Sequence, residues 1–318
     1  MKLKEYLIQN LQYYYYSRLC KNRSENSFND IIINQNDIDM LNNLEKAEYN
    51  LMEEGLVNSK WFDFQKMMKN YFISNTKEFL RKPAFRNTVS VTSLPFFSHY
   101  LRFYLKYINK WYSKSSLKKL LYSSSVGKPY LVSCKYHTTL VRIQHLYQIG
   151  LIKFLSGIDL LNINGTIVDF GAGYGDMANL IYSNNSFKPT LILIDLPIMS
   201  FIQYSYLKTM HNGNIFLLST LDDSVIDHAI NIVPLHLISK ITNMIDMFLA
   251  TYSLTETNHE VVNFLQSNNV LESKAFFIAY QSKNNDFPDG PILAERLKND
   301  LGLRSFTDGL ENGNFLYK

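Results

Sequence analysis

Thr166-Ile-Val-Asp-Phe-Gly-Ala-Gly-Tyr-Gly-Asp-Met-Ala-Asn-Leu-Ile181 is the stretch of this chain whose reading decides the fold. It reads as a short apolar strand, Thr166 to Phe170, then a tight turn holding Gly171, Gly173 and Gly175, then a helical pattern carrying Met177, Ala178, Leu180 and Ile181. A strand that passes at once into a helix leaves bare amide groups and the positive end of a helix dipole at the turn, and glycine lets a ligand approach that backbone closely. The turn is a seat for a cofactor. A lone glycine turn can also be a mere connection, so its neighbours decide the matter.

Two neighbours do so. Asp169 stands two residues before the first glycine, giving Asp-x-Gly-x-Gly-x-Gly. A carboxylate there would repel a pyrophosphate, the group that dinucleotide-binding turns hold, and it suits a ligand with a cationic end. Leu191-Ile-Leu-Ile-Asp195 is a second apolar strand ending in an acid, at the distance where a second βα unit places a carboxylate against ribose hydroxyls. A nucleoside whose other end is positively charged satisfies both acids, and S-adenosyl-L-methionine is such a molecule.

At these residues a family resemblance enters. Asp169 to Gly175 resembles motif I of class I S-adenosylmethionine-dependent methyltransferases. Ile194-Asp-Leu-Pro197 with Gln203-Tyr204 downstream, and Ala250-Thr-Tyr-Ser-Leu-Thr-Glu256, resemble signatures of the sugar O-methyltransferases within that superfamily. This chain has Ala250 where that family usually has Asn, and Thr255 where it usually has Ser. The resemblance spans roughly residues 126 to 282 and implies transfer of a methyl group to a sugar hydroxyl, for instance of a bacterial surface glycan or its precursor; methylation of a non-sugar small molecule, or a catalytically silent binding protein of the same fold, are the alternatives. It further implies that Gly171, Ala172, Gly173 and Gly175 floor the methionine portion, with Asp169 near its ammonium. Asp195 would take the ribose and Leu196 the adenine flank, with Asp222 and its neighbour Asp223 near adenine and Thr251, Tyr252 and Ser253 facing the cofactor.

A neutral hydroxyl is a weak nucleophile, so a base within hydrogen-bond reach is expected. Glu256 is the first candidate, with Ser253 and Tyr252 orienting; His259, one turn on, and His137 are alternatives. Glu256 equally suits the start of a helix, where an acid favours the dipole and does nothing else. Asp222 and Asp223 equally suit an exposed loop. The histidines show no metal-ligand spacing, and no metal is expected, although Asp222, Asp223 and Asp227 leave room for a divalent cation.

Outward from the motif, strands at 166–170, 190–195, 214–219, 244–252, 274–281 and 314–317 alternate with helices at 174–183, 197–211, 235–241, 256–268 and 291–301. Such alternation predicts an α/β fold, a Rossmann-like, doubly wound, mostly parallel sheet. The tail is short for a sheet closing on an antiparallel hairpin, so one of its last strands is expected to be reduced or missing.

The first half reads as a helical N-terminal domain, residues 1–125, serving acceptor binding or oligomerisation. Residues 126–318 are the cofactor-binding domain with its leading helix, 136–155. Helices are expected over 1–24, over 38–54 capped by Asp37, over 61–81 and over 99–121. In the last, Arg102, Lys106, Lys110, Lys114 and Lys118 recur every fourth residue as one cationic stripe, with Phe103, Tyr104, Tyr107, Trp111 and Tyr112 between them. The stripe is either a solvated face opposite an aromatic core face or a basic helix 102–118 that meets a phosphate-bearing or lipid-linked acceptor at a membrane surface.

Residues 1–155 hold 23 Lys and Arg against 11 Asp and Glu, or +12, and residues 156–318 hold 9 against 17, or −8, returning the net +4. That asymmetry supports two units and a basic surface on the first. No nucleic-acid module accompanies it, so nucleic acid is not an expected partner; a sugar or glycan acceptor is, with a homo-oligomer left open. Cys20 and Cys134 lie far apart without ligand spacing, and no apolar run is long enough and free enough of charge to span a bilayer. A cytoplasmic location is expected.

Overall fold

The computed structural model describes residues 30–89, 97–133, 135–211, 213–310 and 313–318. Cys20, Cys134 and the helix expected over 1–24 lie outside them. The described chain forms two compact units, one of residues 30–32 and 70–151, the other of residues 33–69 and 152–318. The single boundary expected after residue 125 is not where the units divide, because residues 33–69 join the sheet-bearing unit.

That unit holds an eight-stranded sheet: β1 (Thr166–Phe170), β2 (Thr190–Asp195), β3 (Ile215–Leu217), β4 (Ile230–Pro234), β5 (Met247–Thr251), β6 (Ala275–Tyr280), β7 (Arg304–Thr307) and β8 (Asn314–Tyr317). The order is β3-β4-β2-β1-β5-β6-β8-β7, parallel from β3 to β6 and antiparallel at β6/β8 and β8/β7. The parallel strands are doubly wound about β1, with β3 at one edge and an antiparallel hairpin at the other. β1, β4 and all but the last residue of β2, β5 and β6 are buried, as parallel strands covered on both faces must be.

Two strands were not legible. β4 carries Asn231 inside an apolar run, yet Asn231 is fully buried. Its Nδ2 donates to the Ile226 carbonyl at 2.8 Å and its Oδ1 accepts from the Ile226 amide at 2.8 Å, so the preceding loop satisfies the amide that a strand interior could not. The closing hairpin is complete: Gly302 ends the preceding helix in the left-handed conformation and β7 pairs with β8. The expectation of a lost strand is therefore corrected.

In the same unit α1 (Gln35–Glu53) starts at a capping box one turn before the expected cap. Asn34 Oδ1 accepts from the Asp37 amide at 3.0 Å, and Asp37 Oδ2 from the Asn34 amide at 2.9 Å. The helix α2 (Ser59–Ser74) crosses the unit boundary and ends at Ser74, before the expected Arg81.

In the other unit, α3 (Pro83–Asn87) is followed by α4 (Phe97–Trp111) and α5 (Lys114–Leu120) in place of the one long helix expected. Ser113 splits them by accepting from the Ser116 amide at 3.2 Å as a new N-cap. Tyr104 and Trp111 pack on Tyr147 of α6 (Leu140–Ser156) with ring centroids 4.8 and 5.5 Å apart. Arg102, Lys106, Lys110, Lys114 and Lys118 are exposed, which makes this an amphipathic helix pair with an aromatic core face.

Candidate functional site

β1 and β2 are adjacent and parallel, with Phe170 opposite Ile194, so Asp169 and Asp195 lie near the carboxyl ends of neighbouring strands. Ligands of open parallel sheets bind outside those ends. The glycine turn leads from β1 into α7 (Asp176–Asn184), with φ of +70° at Gly171, +58° at Gly173 and +91° at Gly175. Side-chain-bearing residues adopt that region only with strain, about 1–2 kcal/mol each. Gly171 is doubly constrained, because an added Cβ would collide with the Ser253 side chain, whose Oγ donates to the Phe170 carbonyl.

The Asp195 carboxylate accepts from the Leu196 amide at 2.8 Å, from Gln203 Nε2 at 2.7 Å and from the Gly173 N–H. Gln203, on α8 (Pro197–Lys208), also donates to the Gly173 carbonyl at 2.8 Å and so ties the glycine turn to the second acid. Burial nonetheless raises Asp195 to about 7. Asp169 is 4% exposed, its Oδ1 has no hydrogen-bond partner among the described residues, and burial, with the Asp195 charge beside it, raises it to about 7.

The end of β5 supplies the third wall. Tyr252 has φ +66°, a strained value for a tyrosine, held by its amide donating to the Ala279 carbonyl at 2.9 Å. Thr251, Tyr252 and Ser253 are half-buried there, while Ala250 is fully buried within the core. Glu256 ends a short 3-10 turn, Leu254–Glu256. The α-helix expected to begin at Glu256 begins instead at His259 (α9, His259–Ser267) under an Asn258 cap, so Glu256 is not a first-turn acid of that helix. Desolvation first, and the nearby Asp286 charge second, push Glu256 up to about 8, and Asn284 Nδ2 lies 3.5 Å from its Oε1. Asp286 is paired with Lys60 of α2.

Other expected residues fall elsewhere. His259 is exposed, its Nδ1 2.9 Å from Arg296 Nη1. His137 belongs to the other unit, at φ +49°, with Nε2 2.9 Å from Ser125 Oγ and its ring stacked on Tyr122. Asp222 is exposed in the loop after β3, and Asp223 accepts from the amides of Ser219 and Thr220 in that same loop. Asp222 follows β3 at the edge of the sheet, whereas the strand beside β2 is β4. Pro234 pairs with Asp195 in register, and His236 follows with a buried Nδ1 that has no partner among the described residues. Among the described residues no group of three or more His, Cys, Asp or Glu is placed to hold a metal ion, and no helix is long and apolar enough to cross a membrane.

No family model matches the sequence, and no curated protein matches it. Solved structures do overlap the fold. The SAH-bound methyltransferase PaMTH1 of Podospora anserina is 8% identical, with 70% of this chain and 87% of that one covered at a TM-score of 0.38. A SAM-dependent methyltransferase from Aquifex aeolicus is 16% identical, with 49% and 82% covered at 0.33. The 16S rRNA methylase ArmA is 12% identical, with 69% and 95% covered at 0.31. Overlaps of this size carry no functional weight; the fold rests on the strand order and the site on its own residues.

Proposed function

We propose that this chain is an S-adenosylmethionine-dependent O-methyltransferase that acts on a sugar hydroxyl. The observation that carries the cofactor reading is the pair of buried acids, Asp169 and Asp195, on neighbouring strand ends around a glycine turn. Two buried carboxyls, both raised by burial and Asp169 also by the Asp195 charge, one with an orphaned oxygen, are costly on their own and favourable toward a bound cation. The residues fit the group: Asp169 would hold its ammonium, Gly171 to Gly175 would admit its backbone-like chain, Asp195 would take its ribose diol and Leu196 would flank its base. Bound there, the cofactor supplies a sulfonium methyl as electrophile.

The acceptor reading rests on the Asp195-Leu196-Pro197 and Ala250–Glu256 signatures and on Glu256. A carboxyl near 8 is a stronger base, once deprotonated, than an ordinary glutamate, and it suits proton removal from an alcohol as the C–O bond forms. Its Asn284 neighbour orients it, and the strained Tyr252 fixes the backbone before it. The test is methyl transfer from labelled cofactor to a panel of nucleotide sugars, free glycans and lipid-linked oligosaccharides, with Asp169→Asn as the blank. Transfer to a sugar hydroxyl supports the reading. Transfer only to non-sugar alcohols, phenols or amines overturns the acceptor, and cofactor binding without transfer to any acceptor favours a silent binding protein.

A further inference from the structure

Glu48 is an α1 residue that nothing in the sequence marks, in a helix otherwise read as an ordinary amphipathic one. Its side chain is fully buried. α1 packs along α8 within the same unit, and Glu48 Oε2 accepts from the Ile198 amide at 3.1 Å. That amide is one of the unpaired donors of the first turn of α8, whose N-cap is Leu196, a residue without a capping side chain. The carboxyl therefore sits three residues beyond Asp195, near enough for the two charges to oppose each other.

Capping explains one oxygen. Oε1 is buried and has no hydrogen-bond partner among the described residues, and a buried carboxyl oxygen left unpaired costs more than the cap returns. A serine or asparagine would cap the helix without that cost. The surplus oxygen belongs to a carboxyl held at the first turn of α8, close enough to Asp195 to feel its charge. Burial, opposed only by the Ile198 bond, raises Glu48 to about 8, so near neutrality it is a neutral acid with one donor to give, whereas Asp195 can only accept once ionised.

Resting on the cofactor reading above, we infer that Glu48 is a binding residue for the adenosyl ribose, its Oε1 hydrogen-bonding a hydroxyl of the diol that Asp195 holds from β2. The N-terminal segment 33–69 thereby completes the cofactor site of the sheet, which accounts for its place in that unit. The bond is polar and short-ranged, so the inference concerns the ribose and not the methionine end.

The test is calorimetric binding of S-adenosylhomocysteine and of its 2′-deoxy and 3′-deoxy analogues to the full chain and to Glu48→Gln, Glu48→Asp and Glu48→Leu. Gln keeps both an acceptor for Ile198 and a donor, and is expected within about threefold of the parent. Asp, one methylene shorter, and Leu should lose about tenfold or more, the cost of one buried hydrogen bond. One of the two deoxy analogues should bind the parent and the Leu variant alike. Should Leu fail to fold, Asp reads the same distance dependence. Full affinity in Asp and Leu, with only a lowered unfolding midpoint, would show a helix cap and overturn the inference while leaving the cofactor reading intact. A parent chain that binds neither S-adenosylhomocysteine nor S-adenosylmethionine would overturn both.

Discussion

Replacing Asp169 by asparagine should make the ligand-free protein more stable at alkaline pH while destroying its cofactor site. Asp169 is raised from 3.8 to about 7 by burial and by Asp195. A group whose folded value lies above its unfolded value contributes stability that is fully present below the unfolded value and is lost as pH rises through the folded one. At 1.36 kcal/mol per unit the whole span is about 4 kcal/mol, of which about 2.5 kcal/mol is lost between pH 5 and pH 8. Urea unfolding of the parent and of Asp169→Asn at both pH values, at constant ionic strength, isolates this term, because the variant lacks the titration while sharing the rest of the chain. The parent should lose about 2.5 kcal/mol more than the variant over that interval. S-adenosylhomocysteine carries a cationic ammonium and should reverse the effect, releasing a proton on binding near pH 6.5, visible as a buffer-dependent binding enthalpy. Parallel pH profiles for parent and variant would refute the reasoning, since Asp169 would then be ionised and compensated without any ligand.

Glu256→Gln should bind S-adenosylhomocysteine normally and turn over about 10²- to 10⁴-fold more slowly. In the parent the rate should climb as pH rises through about 8, because the base works only after losing its proton; an unchanged rate and profile in the variant would remove Glu256 from the chemistry. Gly171→Ala should abolish cofactor binding and destabilise by more than the 1–2 kcal/mol of left-handed strain, because its methyl displaces Ser253; calorimetry and thermal unfolding read the two effects. Reversing Lys106, Lys110 and Lys114 to Glu should weaken association with phosphate-bearing acceptors or anionic vesicles in a salt-dependent way, whereas unchanged sedimentation with vesicles returns this face to plain solvation.

What was legible in the sequence was local. Asp169, the glycines and Asp195 announce their βα units because strand, turn and acid lie within one short stretch, and the parallel sheet follows from their repetition. β4 was hidden because Asn231 breaks its apolar run and is reconciled only by Ile226 in the folded chain. Asp222 follows β3, which β4 separates from β2, since a strand counted in sequence is not a strand counted across a sheet. Glu48 was hidden for a different reason: its partner is Ile198, 150 residues away, and no periodicity reports a contact at that separation. Ser113 ended a helix that spacing alone would have continued, because a cap competes with propagation and a four-residue charge repeat does not sense it.

The central claim is that the Asp169–Asp195 site holds S-adenosylmethionine. It is tested most directly by calorimetric titration of the purified full chain with S-adenosylmethionine, S-adenosylhomocysteine and NADH, beside a Gly173→Arg variant whose side chain would fill the turn. The predicted result is saturable binding of the first two ligands, none of NADH, and loss of both in the variant. Binding of NADH instead, or binding of S-adenosylhomocysteine that Gly173→Arg leaves untouched, would contradict it.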